Sequence, residues 1–531
     1  MPGMNRYLLV LALAVSTFCA VANDIPTVRI DAGVVVGTRV DAGGTQVDAF
    51  LGIPYGKPPV GKLRFQRPQP VQPWEGAYNA TAKPRACWQL PFDLLGPLAL
   101  HYSDASEDCL YVNVWRPVGS QGCASGQQSA CRGALLPTAV FIHGGAFQWG
   151  DSALFVYDAA NFVALTGDVV FVTFNYRVSM FGFLDAHGPN ETGGNMGLWD
   201  QNLALKWVRN NVASFGGDPE RVTLWGHSAG AMSVALHALS PHSNGLFHRA
   251  IMMSGAPFTM ILNRVFNPRA SFDSIAAALQ CYDARKGSAR DQLSEVMTCL
   301  RRTEASKAFE ALESTRFLQQ WFLPVDNDDF FPHTFMSEKT WDKFPLLDVL
   351  IGTTINEGTM FYNLLLKAFP GLSAAEPEEY RLIGTAALSR MFEMPISKAR
   401  QLADIYYGED DAARTYDQAR DITSTIMGDV FFDCPTQLFA DAVASKGVRV
   451  HRYSFAHMSS HSFVPPWMGV AHSADLLYTL GSLPFLKDTE RYTDPLGKVG
   501  KRFLQTQDYT SDEDGFMKEL VSAFAQFMRN G

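Results

Sequence analysis

A serine inside a glycine-bounded pentapeptide constrains the fold of this chain more than any other feature. Residues 222–225 read Val-Thr-Leu-Trp, typical of a short buried strand, and residues 231–239 have the apolar spacing of a helix. Between them, residues 226–230 read Gly-His-Ser-Ala-Gly. Small residues two positions before and after Ser228 permit a turn so sharp that its oxygen is exposed above a sheet. The sequence therefore predicts a strained nucleophile, and the alternative is a turn without chemistry.

Strands alternate with helices on the N-terminal side of this motif. The apolar patterns predict three strands and two helices there, over residues 110–115, 138–142, 169–174, 161–165 and 198–212. Such alternation is typical of an α/β fold with a mostly parallel central sheet that helices cover on both faces. Residues 260–345 and 365–445 have largely helical patterns, and we expect them to form insertions over the sheet edge. We predict a single catalytic domain over residues 23–531.

The beginning of the chain predicts secretion. Arg6, an apolar run over residues 7–15 and the Ala-Val-Ala of residues 20–22 have the order of a secretory signal peptide, so we expect residues 1–22 to be removed. No later stretch is long and apolar enough to span a bilayer. The chain has 44 Lys and Arg against 53 Asp and Glu, a net charge of −9, which argues against nucleic acid as a partner.

The cysteines agree with an oxidising compartment. Of the 8 cysteines, all but Cys19 remain after the predicted cleavage. Three local pairs flank short segments, namely Cys87 and Cys109, Cys123 and Cys131, and Cys281 and Cys299. These pairs leave Cys434, which we expect to be a buried free thiol, with an intermolecular bridge as the alternative. Sequons at Asn79 and Asn190 predict glycosylation.

A glycine-containing loop before Ser228 predicts the hydrogen-bond donors that acyl transfer needs. Residues 143–147, His-Gly-Gly-Ala-Phe, follow the predicted strand at 138–142. Glycines at such a position let backbone N–H groups point at an anion. Each donor stabilises the transition state by roughly 3 kcal/mol. The amide of Ala229, directly after the serine, is the expected third donor. The alternative is a plain Gly-Gly turn.

A carboxylate and a histidine follow Ser228 in the order that such hydrolases require. Glu357 comes just after an apolar strand predicted at 346–351, where sites in open α/β sheets gather. His472 lies in a loop of small residues before a helix predicted at 476–480. Either residue alone would be a polar loop residue. Their order and setting together favour a Ser-His-Glu arrangement.

These motifs together resemble the type-B carboxylesterase/cholinesterase family of α/β-hydrolases. The segments that carry the resemblance span nearly the whole mature chain, at residues 52–55, 58–65, 106–113, 143–147, 175–177, 194–201, 215–219, 226–230, 356–358 and 469–475. The resemblance implies Ser228 as the nucleophile, His472 as the general base and acid, and Glu357 as the carboxylate that orients it. It also implies the disulfides Cys87–Cys109 and Cys281–Cys299.

The same resemblance implies further site residues. The backbone amides of Gly145, Ala146 and Ala229 are the expected oxyanion hole. Ser254 and Asp475 match a polar pair that lies behind the triad. The implied mechanism uses no metal and no cofactor, and the expected ligand is a small-molecule ester.

Departures from the cholinesterases narrow the expected substrate. Cholinesterases place a tryptophan ten residues before the cysteine that matches Cys109, where its ring stacks on a quaternary ammonium. Ala99 stands at that position here, and Trp88 is the ring that could replace it. The acidic residue that cholinesterases carry just before the nucleophile is His227 in this chain. Choline esters are therefore disfavoured.

The expected substrate pocket is formed by four residues, Leu318, Gln320, Met360 and Phe361. The two aromatic residues that restrict the acyl group in the family fall on the first two of these positions. Because neither is a ring, we expect a roomier acyl pocket, unless Trp321 or Phe322 refills it. Packing into the core is the alternative for the apolar members.

The sequence as a whole predicts a secreted carboxylic-ester hydrolase that works through an acyl-enzyme intermediate. The alternative from another class is a non-catalytic, cholinesterase-like protein that binds or sequesters its ligand. The presence of Ser228, Glu357 and His472 together favours the enzyme. The sequence makes no prediction of the oligomeric state.

Overall fold

The computed structural model of the chain describes residues 25–531 apart from several internal segments. The segments outside the description are residues 90, 92–101, 103, 121, 124–134, 187–193, 262–267, 315–320, 336–339, 341–342, 369–370, 372–376, 409–414, 462 and 489–496. The signal-peptide prediction for residues 1–22 therefore lies outside the described residues. So do Ala99, Cys131, Asn190, Leu318 and Gln320.

Strands of the described part form two sheets. Their bounds are β1 Thr27–Ile30, β2 Gly33–Val36, β3 Thr38–Ala42, β4 Thr45–Pro54, β5 Ala77–Asn79, β6 Tyr111–Pro117, β7 Leu136–Ile142, β8 Val170–Phe174, β9 Gly217–His227, β10 Arg249–Met253, β11 Asp348–Thr354 and β12 Val450–Phe455. A small sheet joins β1, β2 and β5, and a nine-stranded sheet has the order β12-β11-β10-β9-β7-β8-β6-β4-β3. The larger sheet forms the centre of the fold.

The central sheet is parallel over most of its width. Neighbouring strands from β8 through β7, β9, β10 and β11 to β12 run in the same direction, and β3, β4 and β6 add an antiparallel edge. The predicted mostly parallel α/β sheet is confirmed. In a parallel sheet the carboxyl ends of the strands meet at one edge, so the loops after β7, β9, β11 and β12 converge there.

The helices that the structure describes flank this sheet or extend over it. Their bounds are α1 Ala160–Thr166, α2 Ser179–Phe183, α3 Met196–Asn211, α4 Ala229–Leu239, α5 Pro268–Ala278, α6 Leu293–Arg302, α7 Ala305–Ser314, α8 Gly358–Ala368, α9 Pro377–Met391, α10 Ile396–Tyr407, α11 Tyr416–Gly428, α12 Cys434–Ala444, α13 Leu476–Thr479, α14 Gly497–Gln505 and α15 Ser511–Asn530. Among the described residues, no helix is long and apolar enough to cross a membrane.

Helices on the two faces of the sheet bury alternate residues of each strand. α1 and α15 contact one face, and α3 and α4 contact the other. Val140 of β7 therefore belongs to the core beneath α4, whereas its neighbour Phe141 belongs to the core beneath α15. Burial on both faces explains why these strands read as continuous apolar runs in the sequence.

The two predicted helical insertions differ in the structure. Residues 365–445 are largely helical, as predicted, with α9–α12 in succession. The prediction for residues 260–345 was wrong in part, because residues 321–335 form turns and extended chain. At Val325 within this stretch, the side chain of Asn195 donates to the backbone carbonyl and accepts from the backbone amide. Both backbone groups of Val325 therefore have hydrogen-bond partners without forming a helix.

Two disulfides have the pairings that the resemblance implies, Cys87–Cys109 and Cys281–Cys299. Cys123 is also disulfide-bonded. Cys434 is a free thiol, but the prediction that it is buried was wrong. It lies on the outer face of α12 with exposed residues one and two turns later, while Phe439 faces the core. Asn79, a predicted glycosylation site, is exposed at the end of β5.

Candidate active site

Three loops at the carboxyl edge of the sheet bring the predicted triad residues together. Ser228 follows β9, Glu357 follows β11, and His472 lies in the loop after β12. Backbone hydrogen bonding joins the last two loops, because the amide of Asn356 donates to the carbonyl of Val470 over 3.1 Å. The side-chain oxygen of Asn356 accepts from the Val470 amide over 3.0 Å. The site is therefore assembled by strand order and loop pairing.

The turn at Ser228 is as sharp as its two glycines suggest. The serine has φ 55° and ψ −122°, a backbone conformation that residues other than glycine rarely adopt. A β-carbon at Gly226 would lie 2.2 Å from the carbonyl oxygen of Gly230. A β-carbon at Gly230 would lie 2.0 Å from the carbonyl oxygen of Ile142. Neither position accommodates a side chain, so this backbone conformation depends on both glycines.

Glu357 and His472 form a buried pair. His472 Nδ1 lies 2.5 Å from Glu357 Oε2, and both side chains are almost wholly removed from solvent. The other carboxylate oxygen, Oε1, accepts hydrogen bonds from Ser254 Oγ over 2.6 Å and from the Thr354 amide over 2.8 Å. The carboxylate is thus held on both sides. With Nδ1 committed to Glu357, Nε2 of the imidazole is left for Ser228, which lines the same cavity.

The predicted oxyanion loop has a left-handed backbone. Gly145 has φ 116° and Ala146 has φ 53°, so an alanine occupies a conformation that favours glycine. Both residues line the cavity beside Ser228. Ala229 begins α4, and amides in the first turn of a helix have no intrahelical acceptor. Gly145 and Ala146 thus line the same cavity as Ser228, and Ala229 directly follows it in the chain. The strained conformation of Ala146 is a feature that the sequence did not predict.

Of the two residues predicted to lie behind the triad, only Ser254 forms a hydrogen bond with Glu357 among the contacts described. Ser254 contacts Glu357 directly, whereas Asp475 accepts a hydrogen bond from Tyr453 Oη over 2.8 Å. The second oxygen of Asp475 is buried without a hydrogen-bond partner in the described part of the chain. Burial, and then the nearby Glu357 carboxylate, raise the pKa of Asp475 to about 7. Tyr453 was not identified as a site residue from the sequence, because there it looks like an ordinary residue of a strand.

Among the described residues, two cavities border Ser228. One, of about 270 Å³, is also lined by His472 and the oxyanion loop, and the other, of about 340 Å³, extends between α8, α9 and α11. Met360 lines the first cavity and Phe361 lines both, whereas Leu318 and Gln320 lie outside the described residues. The ring of Trp321 borders both cavities.

The structure describes two of the residues that the sequence compared with a choline site, Trp88 and His227. Trp88 stacks on Phe309 with ring centroids 5.5 Å apart and lines neither cavity at Ser228. The ring of His227 lies 4.8 Å from that of His472. Burial, and then His472, lower the pKa of His227 well below its usual value, so this side chain is neutral.

Comparison with known proteins extends over almost the whole chain. The model of the Carboxylesterase family matches residues 24–531. An acetylcholinesterase of Bungarus fasciatus is 34% identical over 476 residues, which is 86% of this chain and 73% of the relative. An acetylcholinesterase of Leptinotarsa decemlineata is 31% identical over 531 residues, which is 95% of this chain and 78% of the relative. The likeness therefore includes the central sheet and the candidate site.

The raised pKa of Asp475 predicts a stability that depends on pH. The folded protein binds this proton more tightly than the unfolded chain, so Asp475 makes folding less favourable as the pH rises from about 4 to about 7. Replacing Asp475 by asparagine removes this penalty and keeps an acceptor for Tyr453. The gain in unfolding free energy of Asp475→Asn over wild type should be about 2–3 kcal/mol larger at pH 8 than at pH 5.

Urea unfolding at the two pH values measures this difference. The same substitution at Asp441, an exposed residue of α12, controls for the loss of an aspartate. An equal effect of Asp475→Asn at both pH values would show that the carboxyl group is not protonated in the folded protein.

Proposed function

The chain belongs to the carboxylesterase family, and on this basis we propose that it is a carboxylic-ester hydrolase with a Ser228-His472-Glu357 triad. The observation that carries the proposal is the 2.5 Å contact between His472 Nδ1 and Glu357 Oε2. His472 and the strained Ser228 line the same cavity. A histidine oriented by a buried carboxylate is the arrangement that activates a serine hydroxyl.

Acylation begins at Ser228. Its Oγ attacks the carbonyl carbon of the ester while His472 Nε2 accepts the hydroxyl proton. The imidazole becomes positively charged in this step, and the buried Glu357 carboxylate stabilises that charge. Hydrogen bonds from Ser254 and Thr354 keep the carboxylate in place, so no reorganisation is needed as the charge forms.

The negative charge on the carbonyl oxygen requires donors on the opposite side. We assign them to the amides of Gly145 and Ala146, whose residues line the cavity at Ser228, and of Ala229, which follows the serine. The tetrahedral intermediate collapses as His472 returns the proton to the alcohol oxygen, which leaves. Water then attacks the acyl group on Ser228 by the same proton transfers, and the carboxylic acid is released.

The position of His472 distinguishes the roles of the two cavities. The alcohol oxygen must receive its proton from His472, so the alcohol belongs in the cavity that His472 lines, here called the alcohol cavity. The cavity between α8, α9 and α11 is left for the acid and is called the acyl cavity. Its lining includes Met232, Met391 and Phe432, which favours apolar acyl chains.

We propose further that choline esters are not the preferred substrates, although the named relatives are acetylcholinesterases. The residue before the nucleophile is a neutral histidine in contact with His472, so it provides no negative charge for an ammonium group. Trp88, which is packed on Phe309, provides no ring at Ser228. Neither group therefore supplies the attraction that a stacked ring or a nearby acid would give to an ammonium group.

Secretion is also part of the proposal. It is supported by the order of charged, apolar and small residues at positions 1–22 and by the disulfides Cys87–Cys109 and Cys281–Cys299. Such bonds persist in oxidising compartments and are rare in the cytosol.

Substitutions of the triad test the catalytic roles. Ser228→Ala should lower kcat for p-nitrophenyl hexanoate by about 10⁴-fold or more, because the nucleophile is lost. Glu357→Gln should lower it by about 10⁴-fold, because an amide favours the wrong tautomer of His472. Ser233→Ala is the matched control, since Ser233 is buried one turn further along α4 and bonds to the Ala229 carbonyl. Full activity of Ser228→Ala would show that a different residue is the nucleophile, whereas no activity of wild type would favour a binding protein.

Two substrates of equal shape test whether the protein prefers a neutral ester to a choline ester. Acetylcholine and 3,3-dimethylbutyl acetate differ only in the charge of the alcohol. We expect the wild-type kcat/KM for the neutral ester to equal or exceed that for acetylcholine. His227→Glu should shift the ratio toward acetylcholine by about tenfold, because it adds a negative charge near the ammonium. His227→Gln, which adds no charge, should leave the ratio unchanged. A wild-type preference for acetylcholine of more than tenfold would contradict the proposal.

A further inference from the structure

The two cavities at Ser228 differ in the polarity of their walls. The acyl cavity is apolar apart from Ser228 itself, Thr423 and Arg390. The alcohol cavity has an additional polar wall, formed by the segment after β12. His457, Ser459 and His461 of that segment line the cavity, and none of them belongs to the proposed triad. This contrast indicates that the two halves of the substrate differ in polarity.

The polar wall is anchored from behind by one buried carboxylate. Glu513, at the start of α15, accepts hydrogen bonds from the Ser460 amide over 2.8 Å and from Tyr478 Oη over 2.9 Å. It also accepts from the Thr510 amide over 2.8 Å and lies 3.3 Å from His457 Nε2. The wall is therefore held in a defined position, which a binding surface for a small ligand requires.

His461 is the member of this wall whose hydrogen bonding is incomplete. The residue is only 6% exposed, and its Nδ1 is buried without a hydrogen-bond partner among the described residues. Its ring stacks on Tyr478 and lies 5.2 Å from Phe463. Burial lowers the pKa of His461, so the ring is neutral and offers one donor and one acceptor. A buried ring nitrogen without a partner is costly, and here it belongs to a residue that borders a cavity.

We propose that His461 is a specificity-determining residue that hydrogen-bonds an oxygen atom in the alcohol part of the ester. The substrate class is then esters of apolar carboxylic acids with neutral alcohols that carry a second oxygen, as a hydroxyl or ether group. A neutral imidazole suits such a group better than an ionic one. The inference rests on the proposed function, because His472 as proton donor assigns the alcohol to this cavity.

Three pairs of hexanoate esters test the inference. The pairs are propyl with 2-hydroxyethyl, butyl with 3-hydroxypropyl, and pentyl with 4-hydroxybutyl hexanoate. Within each pair a terminal methyl group is replaced by a hydroxyl group of similar size. The measured quantity is the ratio of kcat/KM for the hydroxylated ester to that for the alkyl ester. We expect wild type to prefer the hydroxylated member by about tenfold in at least one pair, the usual effect of one hydrogen bond.

Two variants of His461 separate hydrogen bonding from packing. His461→Leu should remove the preference in that pair by lowering kcat/KM for the hydroxylated ester about tenfold, while the alkyl ester changes less than twofold. His461→Asn retains a donor and an acceptor and should keep part of the preference. The rate at which a small fluorophosphonate labels Ser228 reports whether the triad remains intact in both variants.

The outcomes distinguish this inference from the proposed function. Hydrolysis of the esters with equal ratios in wild type and His461→Leu, and with equal labelling rates, would show that His461 only packs or binds water. A fall for both members of each pair with slower labelling would likewise overturn a role in specificity. Absence of hydrolysis of all six esters by wild type would overturn the proposed function, and this inference with it.

Discussion

One buried contact, between the Glu357 carboxylate and the His472 imidazole, holds the candidate active site together. Its two residues are 115 positions apart in the chain and meet because β11 and β12 are parallel neighbours. Loop pairing at Asn356 and Val470 fixes the approach of the two loops. The carboxylate is removed from water, so its remaining oxygen must be satisfied, and Ser254 with the Thr354 amide does so. The same burial makes the contact effective against a charge that forms on the histidine.

The buried Glu357 carboxylate also affects the ionisation of Asp475, which lies nearby behind the triad. Burial raises the pKa of Asp475 to about 7, and the nearby Glu357 carboxylate adds to the effect because two buried carboxylates disfavour joint ionisation. On the other side of His472, a neutral His227 stands where the cholinesterases carry an acid. The Glu357 carboxylate is thus paired with His472, and His227, on the substrate side of the site, is uncharged. This balance fits uncharged esters, with an apolar acyl chain on one side and a more polar alcohol on the other.

Local features of the site could be predicted from the sequence, and features that depend on packing could not. The turn at Ser228 needs glycines at fixed positions, so five residues in a strand–helix setting were sufficient. Glu357 and His472 could be found because their order after the serine is characteristic of these hydrolases. The exposure of Cys434 was predicted wrongly, because its apolar neighbours do not reveal which face of α12 is turned outward. The sequence did not indicate a role for His461, because the cavity that it lines is formed by segments that are distant in the chain.

Acid-quenched turnover tests the central claim most directly. The reaction with p-nitrophenyl hexanoate is stopped within the first turnovers, the protein is digested, and each peptide is examined by mass spectrometry. The proposed mechanism predicts at most one hexanoyl group per chain, attached to the peptide that contains Ser228 and absent from Ser228→Ala. Acylation of a different residue, or equal release of p-nitrophenol by Ser228→Ala, would contradict a Ser228 acyl-enzyme and the mechanism built on it.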